Sequence, residues 1–522
     1  MADYGLEGRI RKAFEFLSSI NQTAYKDIYL LSNEVLSKNP LTNNFLSRFL
    51  QEEAPQPINR LYVFSKFLHY YFKSIVHFTL YLLNFIVFYV SRLRYAINYT
   101  HKEFILIDTF FLIDRIDKAG NYADEYFVGL RELLNKLNKH YAYLPVFCST
   151  KNPLKLFRVF KLIKKEEIPV LTEYQILSIS DVFLIFLFML IYPFRVLKLV
   201  ETLDSNYAKC IGDGDITELV RDICLLKNEL IDNLSHVTFH RFSRYLQGRK
   251  IAALPYDKIK LISWFENQTI DKNLYKGLRE RENKIKIYGI QSFIFSNMVL
   301  NILVDENENK FGILPDRIIV NGSYYVPKAT NIDFIVGPSF RYRKVFSTVI
   351  NKNKQSHILV LLPYVADDTR NILGLLNKMN LPAQNVIIKP HPAVTAEIFN
   401  SLIPNKSQIV NTDLYELLKT SKIVIGAASG SLAEAASFGI PVISVKNMSG
   451  IDYNPLPEYG RGIIWDEVTS SFELERAITQ FECALKDKIK NSEIEKVAKK
   501  YKEMFFCEPT EESIIRSLEL ND

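Results

Sequence analysis

Twelve short, apolar-rich segments, each followed by a helical or turn-rich stretch, constrain this chain more than any other feature. A first series reads EFILID (103–108), AYLPVFC (142–148), KIAAL (250–254), IKLISWF (259–265), NKIKIYG (283–289) and DRIIVNG (316–322). A second reads NIDFIVG (331–337), HILVLLP (357–363), NVIIKP (385–390), SQIVN (407–411), KIVIGA (422–427) and PVISV (441–445). Strands covered on both faces lack polar alternation, and helices between them bring successive strands parallel. Two such series predict two open α/β sheets, each binding ligands in the crevice beyond the carboxyl ends of its strands. At 522 residues the chain is too long for one core, and two α/β domains with an accessory region fit it.

The expected division is a helical region over 1–100, a first Rossmann-like domain over 101–335, a second over 336–505 and a terminal helix over 506–522. The first domain carries a basic and apolar insert near 150–245. Lys and Arg exceed Asp and Glu by seven, which favours anionic partners but is too little to imply nucleic acid. The five cysteines (Cys148, Cys210, Cys224, Cys483 and Cys507) form no CxxC pair and join no histidine at zinc-ligand spacing. They read as reduced thiols in a cytosolic compartment, and MADYGLEGRIRKAFEFL lacks the features of a secretory signal.

Two apolar runs stand out. Ser74 to Ser91 holds 18 residues without a formal charge when His77 is neutral, barely enough to span a bilayer, and His77 and Asn84 make it a poor spanner. Val182 to Phe194 is 13 residues long, with Pro193 near its end, and is expected to be too short to cross. From Lys155 to Lys165 cations and apolar residues alternate at helical spacing, as in an interfacial helix. Buried core helices would account for both runs as well. If both spanned, one α/β domain would be split across the membrane, so a peripheral or monotopic attachment is preferred.

The most specific stretch is KIVIGAASGSLAEAASFGIPVISV (422–445), a strand running into a small-residue loop and then a helix. Small residues let backbone approach an anion, and Ser431 is expected to cap the helix with Glu434 three residues on. An ordinary strand-loop-helix corner would use the same residues. In NVIIKPHP (385–392) a strand delivers Lys389 and His391, each followed by a proline that stiffens the loop, an arrangement suited to a phosphate or diphosphate.

KPHP, followed after about twenty residues by DLYELLKTSKIVIGAASGSLAEAASFGIPVISV, resembles the C-terminal domain of bacterial surface-polysaccharide glycosyltransferases of GT-B fold. These include capsule sialyl- and Kdo-transferase-like enzymes and teichoic-acid polymerase relatives. The resemblance implies an α/β, GT-B architecture of two Rossmann-like domains facing a cleft, with residues 336 to 505 holding a nucleotide-sugar. It further implies that His391, Pro392, Ser429, Gly430 and Ser431 flank the donor phosphate, with Lys389 and Glu434 beside them. Gly337-Pro-Ser-Phe-Arg341 resembles the interdomain segment that places an arginine near the donor. Asn267, Gln268 and Gln291, at the ends of late N-terminal strands, look like acceptor contacts.

The sequence departs from the resemblance in two places. Asp124-Glu125 is followed by Tyr126, not the glycine of the acidic motif that carries the base in polysialyltransferase-like enzymes, and position 442, eight after Glu434, is valine where retaining enzymes carry a second glutamate. The base is therefore open, with Glu266 the first candidate and Asp108, Asp124 and Glu125 behind it. No DxD triplet or histidine cluster stands out, so no metal or cofactor is expected. The reading is a transferase moving a sugar from a nucleotide-activated donor to a surface polysaccharide or lipid-linked acceptor at the inner face of the cell membrane. The alternatives are a polyol-phosphate transferase using a CDP-linked donor, a UDP-sugar 2-epimerase on the same fold, or a non-catalytic scaffold.

Overall fold

The computed structural model describes residues 6–38, 44–97, 100–148, 150–207, 216–281, 285–296, 298–328, 330–350, 356–379, 386–392, 394, 399, 401–404, 407–427, 429–448 and 454–521. Strands β1 (Glu103–Leu112), β2 (Tyr141–Cys148), β3 (Lys258–Phe265), β4 (Ile285–Gln291), β5 (Arg317–Val320) and β6 (Phe334–Val336) form one sheet in the order β2-β1-β3-β4-β5-β6. Strands β7 (His357–Leu361), β8 (Val386–Lys389), β9 (Gln408–Ile409), β10 (Ser421–Gly426), β11 (Val442–Val445) and β12 (Trp465–Val468) form a second in the order β12-β11-β10-β7-β8-β9.

Neighbouring strands pair parallel throughout both sheets. Within its own domain the second sheet follows the doubly wound 3-2-1-4-5-6 order, reversing between β7 and β10. The first sheet reverses between β1 and β3. Past the carboxyl ends of β4 and β10 the two domains meet, with Gly430 lying against Ile294.

Some expected elements move. KIAAL is not a strand: its first three residues close the helix Phe239–Ala252, whose buried Phe239, Phe242, Leu246 and Ile251 keep helical spacing up to its end. NIDFIVG supplies β6, the edge of the first sheet, not the start of the second. β12 is additional, a strand in which Asp466 and Glu467 hide the apolar signal.

Gly337 to Arg343 therefore leaves the first domain, and the chain returns alongside it. The Ser339 amide donates to the Cys507 carbonyl (2.9 Å) and the Cys507 amide to the Ser339 hydroxyl (3.0 Å). The returning helix Glu511–Leu518 then docks on the first domain, where Glu519 pairs with Lys286 (2.5 Å) and Arg317 (2.9 Å).

The apolar runs lie in two long helices, Arg60–Ser91 and Ile179–Tyr207. The second does not stop at Pro193 but continues through it to a length of 29 residues. Both helices are long and apolar enough to cross a membrane by length and composition. By contrast, the basic helix Pro153–Lys165 turns Leu156, Val159, Phe160 and Ile163 into the core. Its Lys155 and Arg158 pair with Asp114 and Asp117 at 2.6 Å each, so it is an ordinary amphipathic helix and not an interfacial one. The N-terminal region is anchored by a buried ionic cluster in which Lys38 and Lys272 meet Glu308 at 3.2 and 2.8 Å. Burial opposes charge on Glu308, but the two ammonium groups outweigh it and hold the carboxyl down at about 2.

Candidate functional site

Glu266 follows β3 at the reversal of the first sheet, and its position is fixed from behind. The Asp271 carboxylate accepts the amides of Glu266 and Gln268 at 3.1 Å each, closing a capping box at the start of the helix Thr269–Leu278. Asn267 adopts a left-handed φ of 53°, a conformation Asn tolerates better than most residues, and so re-aims the chain after Glu266. The Gln268 side-chain amide donates to the Glu266 carboxylate. Burial, and after it the Asp271 carboxylate, raises Glu266 to about 8, while Arg341 pulls it back. Asp271 is itself raised to about 7 by burial and by Asp108.

Arg341 stands between the domains. Its guanidinium lies 5.6 Å over the Tyr126 ring and donates to the Ser292 carbonyl (3.4 Å). Although desolvation works against the charge, the phenols of Tyr342 and Tyr126 and the carboxylates of Glu434 and Glu266 sustain it. One of those carboxylates comes from each domain.

Glu434 sits in the short helix Ser431–Ser437, is 7% exposed, and accepts from the Tyr415 hydroxyl. Burial raises it to about 7, against the pull of Tyr415 and Arg341. Ser431 does not cap this helix: Gly430 holds the N-cap position, and the Ser429 hydroxyl accepts the Ser431 amide at 3.3 Å. With seven residues the helix contributes little macrodipole, so the 429–431 loop offers backbone amides and hydroxyls more than a field. Gly430 presses on the first domain, where an added Cβ would lie 3.0 Å from the Ile294 Cβ and 3.1 Å from its carbonyl oxygen. Ala428 of this loop and Asn385 before β8 lie outside the described residues.

His391 follows β8 and meets the Tyr364 ring edge-on at 5.6 Å. Burial lowers its affinity for a proton, and Arg115 and Arg341 lower it further, so the imidazole is neutral at pH 7 inside a positive potential. Lys389, the last residue of β8, donates to the Thr412 carbonyl (2.6 Å), and Pro392 is exposed.

The other candidates separate into those near the cleft and those within the fold. Asp124 caps a turn by accepting the amides of Tyr126 (2.9 Å) and Phe127 (2.8 Å), and exposed Glu125 pairs with Arg115. Asp108 is buried, bound to Arg244 and accepting from the Ser263 hydroxyl (2.8 Å). Asn267 is 0% exposed and donates to the Asn301 carbonyl (2.7 Å) and to Glu308 (3.2 Å). Gln291, 4% exposed, donates to the Phe293 carbonyl (2.8 Å) and accepts the Asn321 amide (3.0 Å). Both amides are used inside the first domain and do not reach the cleft as acceptor contacts.

Arg115, Tyr126, Tyr364 and Asp271 were missed in the sequence. Only Asp271 had a signal, the Gln268-x-x-Asp271 capping-box spacing. Among the described residues no group of three or more His, Cys, Asp or Glu side chains is placed to hold a metal ion.

No protein-family model matches the chain, and no curated protein matches it. Solved structures are similar in outline. UDP-GlcNAc 2-epimerase from Methanocaldococcus jannaschii, in complex with UDP-GlcNAc and UDP, aligns over 80% of this chain and 99% of its own at 12% identity and a TM-score of 0.43. MnaA of S. aureus in a structure with UDP aligns over 80% and 97% at 11% identity and a TM-score of 0.41. MurG of Acinetobacter baumannii aligns over 80% and 99% at 10% identity and a TM-score of 0.38. Likeness this distant carries no activity from those proteins to this one.

Proposed function

We propose that this chain is a glycosyltransferase that binds a nucleotide-activated sugar in its second domain and passes the sugar to a surface polysaccharide or lipid-linked glycan at the cytoplasmic face of the cell membrane. One observation carries the reading: Arg341, held over the Tyr126 ring between the domains, places a charge that acts on Glu266 at the mouth of the first sheet and on His391 and Glu434 at the mouth of the second. A positive potential facing a poised carboxylate suits the departure of an anionic phosphate and the activation of a hydroxyl.

In this reaction the bond between the anomeric carbon and the donor phosphate breaks, and the acceptor oxygen bonds to that carbon. Glu266 takes the hydroxyl proton, while His391, Arg341 and the 429–431 loop receive the negative charge on the leaving phosphate. The exposed Tyr364 ring beside His391 offers a stacking surface for a nucleobase. The charge on the phosphate is assigned to these side chains and not to a metal. A soluble 2-epimerase has no use for the apolar faces of Arg60–Ser91 and Ile179–Tyr207, which favours transfer to a membrane-borne acceptor.

The test is thermal stabilisation of the full chain by CMP, CDP, UDP or GDP, repeated with His391→Ala and Glu266→Gln. One nucleotide should raise the melting temperature of the wild type, less that of H391A, and that of E266Q as in the wild type, while E266Q loses transfer. A chain that no nucleotide stabilises is a scaffold instead.

A further inference from the structure

A cavity of about 510 Å³ opens beside the carboxyl end of β2, where Pro145, Val146 and Phe147 form one wall. The helix Arg60–Ser91 supplies a second wall through Lys73, His77, Tyr81 and Asn84, spaced so that a single stripe faces inward. The helix Phe239–Ala252 supplies a third through His240, Arg241, Arg244 and Gln247.

The charges around this space do not cancel. Four cations line it, Lys73, Lys151, Arg241 and Arg244, against the carboxylates of Glu34 and Glu173. Arg241 is paired with Glu34 and Arg244 with Asp108. Lys73 donates to the Ser235 carbonyl (3.0 Å), and neither it nor Lys151 has a carboxylate partner among the described residues. Burial depresses His77, and Lys151 and Lys73 depress it further; burial and the neighbouring His77 bring His240 down to about 4. Arg244, 4% exposed, keeps a buried Nε donor with no hydrogen-bond partner. An anion with several acceptor oxygens would neutralise the two lysines.

The position of the cavity says where such an anion comes from. The helix that presents Lys73 and His77 inward turns Phe64, Leu68, Phe72, Ile75 and Ile86 to the outside, so the pocket lies about one helix diameter, ~10 Å, from an exposed apolar surface. On its other side Ile270 lines the cavity, next to the Asp271 that fixes Glu266.

We infer that this cavity seats the phosphate of a membrane-borne amphiphile, the acceptor of the transfer proposed above, and the inference rests on that reading. The headgroup phosphate binds Lys73, Lys151 and Arg244, its hydrocarbon stays along the apolar helix face, and the group beyond the phosphate points toward Glu266.

The full chain should be bound to vesicles of equal surface charge whose anionic lipid is either a phosphodiester with a hydroxyl-bearing headgroup or a carboxylate. The wild type should prefer the phosphodiester, K73Q/K151Q should lose about tenfold of that preference, and K73R/K151R should keep most of it. An undiminished preference in K73Q/K151Q overturns the inference. So does stabilisation of the wild type, but not of K73Q/K151Q, by inorganic pyrophosphate without any vesicle preference, because the pocket then serves a soluble phosphate. The nucleotide-dependent melting shift, measured on the same variant, should be unchanged. That shift reports folding, and it separates failure of this pocket from failure of the donor site, which His391→Ala reports.

Discussion

Glu266 owes its basicity to the place where β3 stops. Burial and the Asp271 carboxylate behind it favour the protonated acid, so the free protein holds this group at about 8. A base must be unprotonated to act, so kcat/KM should rise with pH through a limb near 8, and Glu266→Gln should abolish that limb together with most of the rate. An anionic donor on Arg341 removes the cation that pulls Glu266 down. The limb in kcat should therefore lie at higher pH than the limb in kcat/KM; coincident limbs would mean that Arg341 does not hold the donor. The place of Glu266, though not its role, was legible because a carboxylate just past an apolar strand stands at the carboxyl end of an open sheet. Asn267 and Gln291 shared that signal, but a left-handed residue and a buried amide network turn them inward, and sequence spacing carries neither fact.

The turn that carries Glu266 is only as firm as the helix behind it. Helices Phe239–Ala252 and Thr269–Leu278 cross at Gly248 and Gly277, and a Cβ on Gly277 would run into the Tyr245 carbonyl oxygen, which is backbone and cannot swing aside. Gly277→Ala should cost ~1–3 kcal/mol of stability, read as a lower melting temperature, and should lower kcat more than nucleotide affinity. A variant with wild-type stability would mean that the crossing is loose. Elements of this kind were only partly legible. Strands β1, β7 and β10 announce themselves because both faces are buried, whereas β12 carries two acids and the 250–254 run completes a helical face. Pro193 was misleading for a different reason: its helix continues past it, at the loss of one backbone donor.

At the scale of the whole molecule, the helix Arg60–Ser91 is inverted relative to a surface helix of a soluble protein. Its buried positions include Ser74, Asn84 and Ser91, while Phe72 and Leu61 are 73% and 81% exposed. Ile179–Tyr207 packs beside it through Phe67 against Phe194, and it too leaves Phe183 and Phe194 outside. Packing along the flank of the first domain lets both helices lie in the interface without threading that domain across a bilayer. The apolar run was legible by composition, but which of its stripes meets protein was not, because the polar residues that face inward are few. Each apolar side chain moved into lipid contributes about 1.5–3 kcal/mol, so two charges on the outer stripe should outweigh the rest of a peripheral attachment. Phe72→Glu with Ile86→Glu should move the protein from floating with vesicles to remaining in solution, with the nucleotide-dependent melting shift intact. If the double variant floats as the wild type does, the anchor lies elsewhere, and if it loses the nucleotide shift as well, these side chains hold the fold together and do not face lipid.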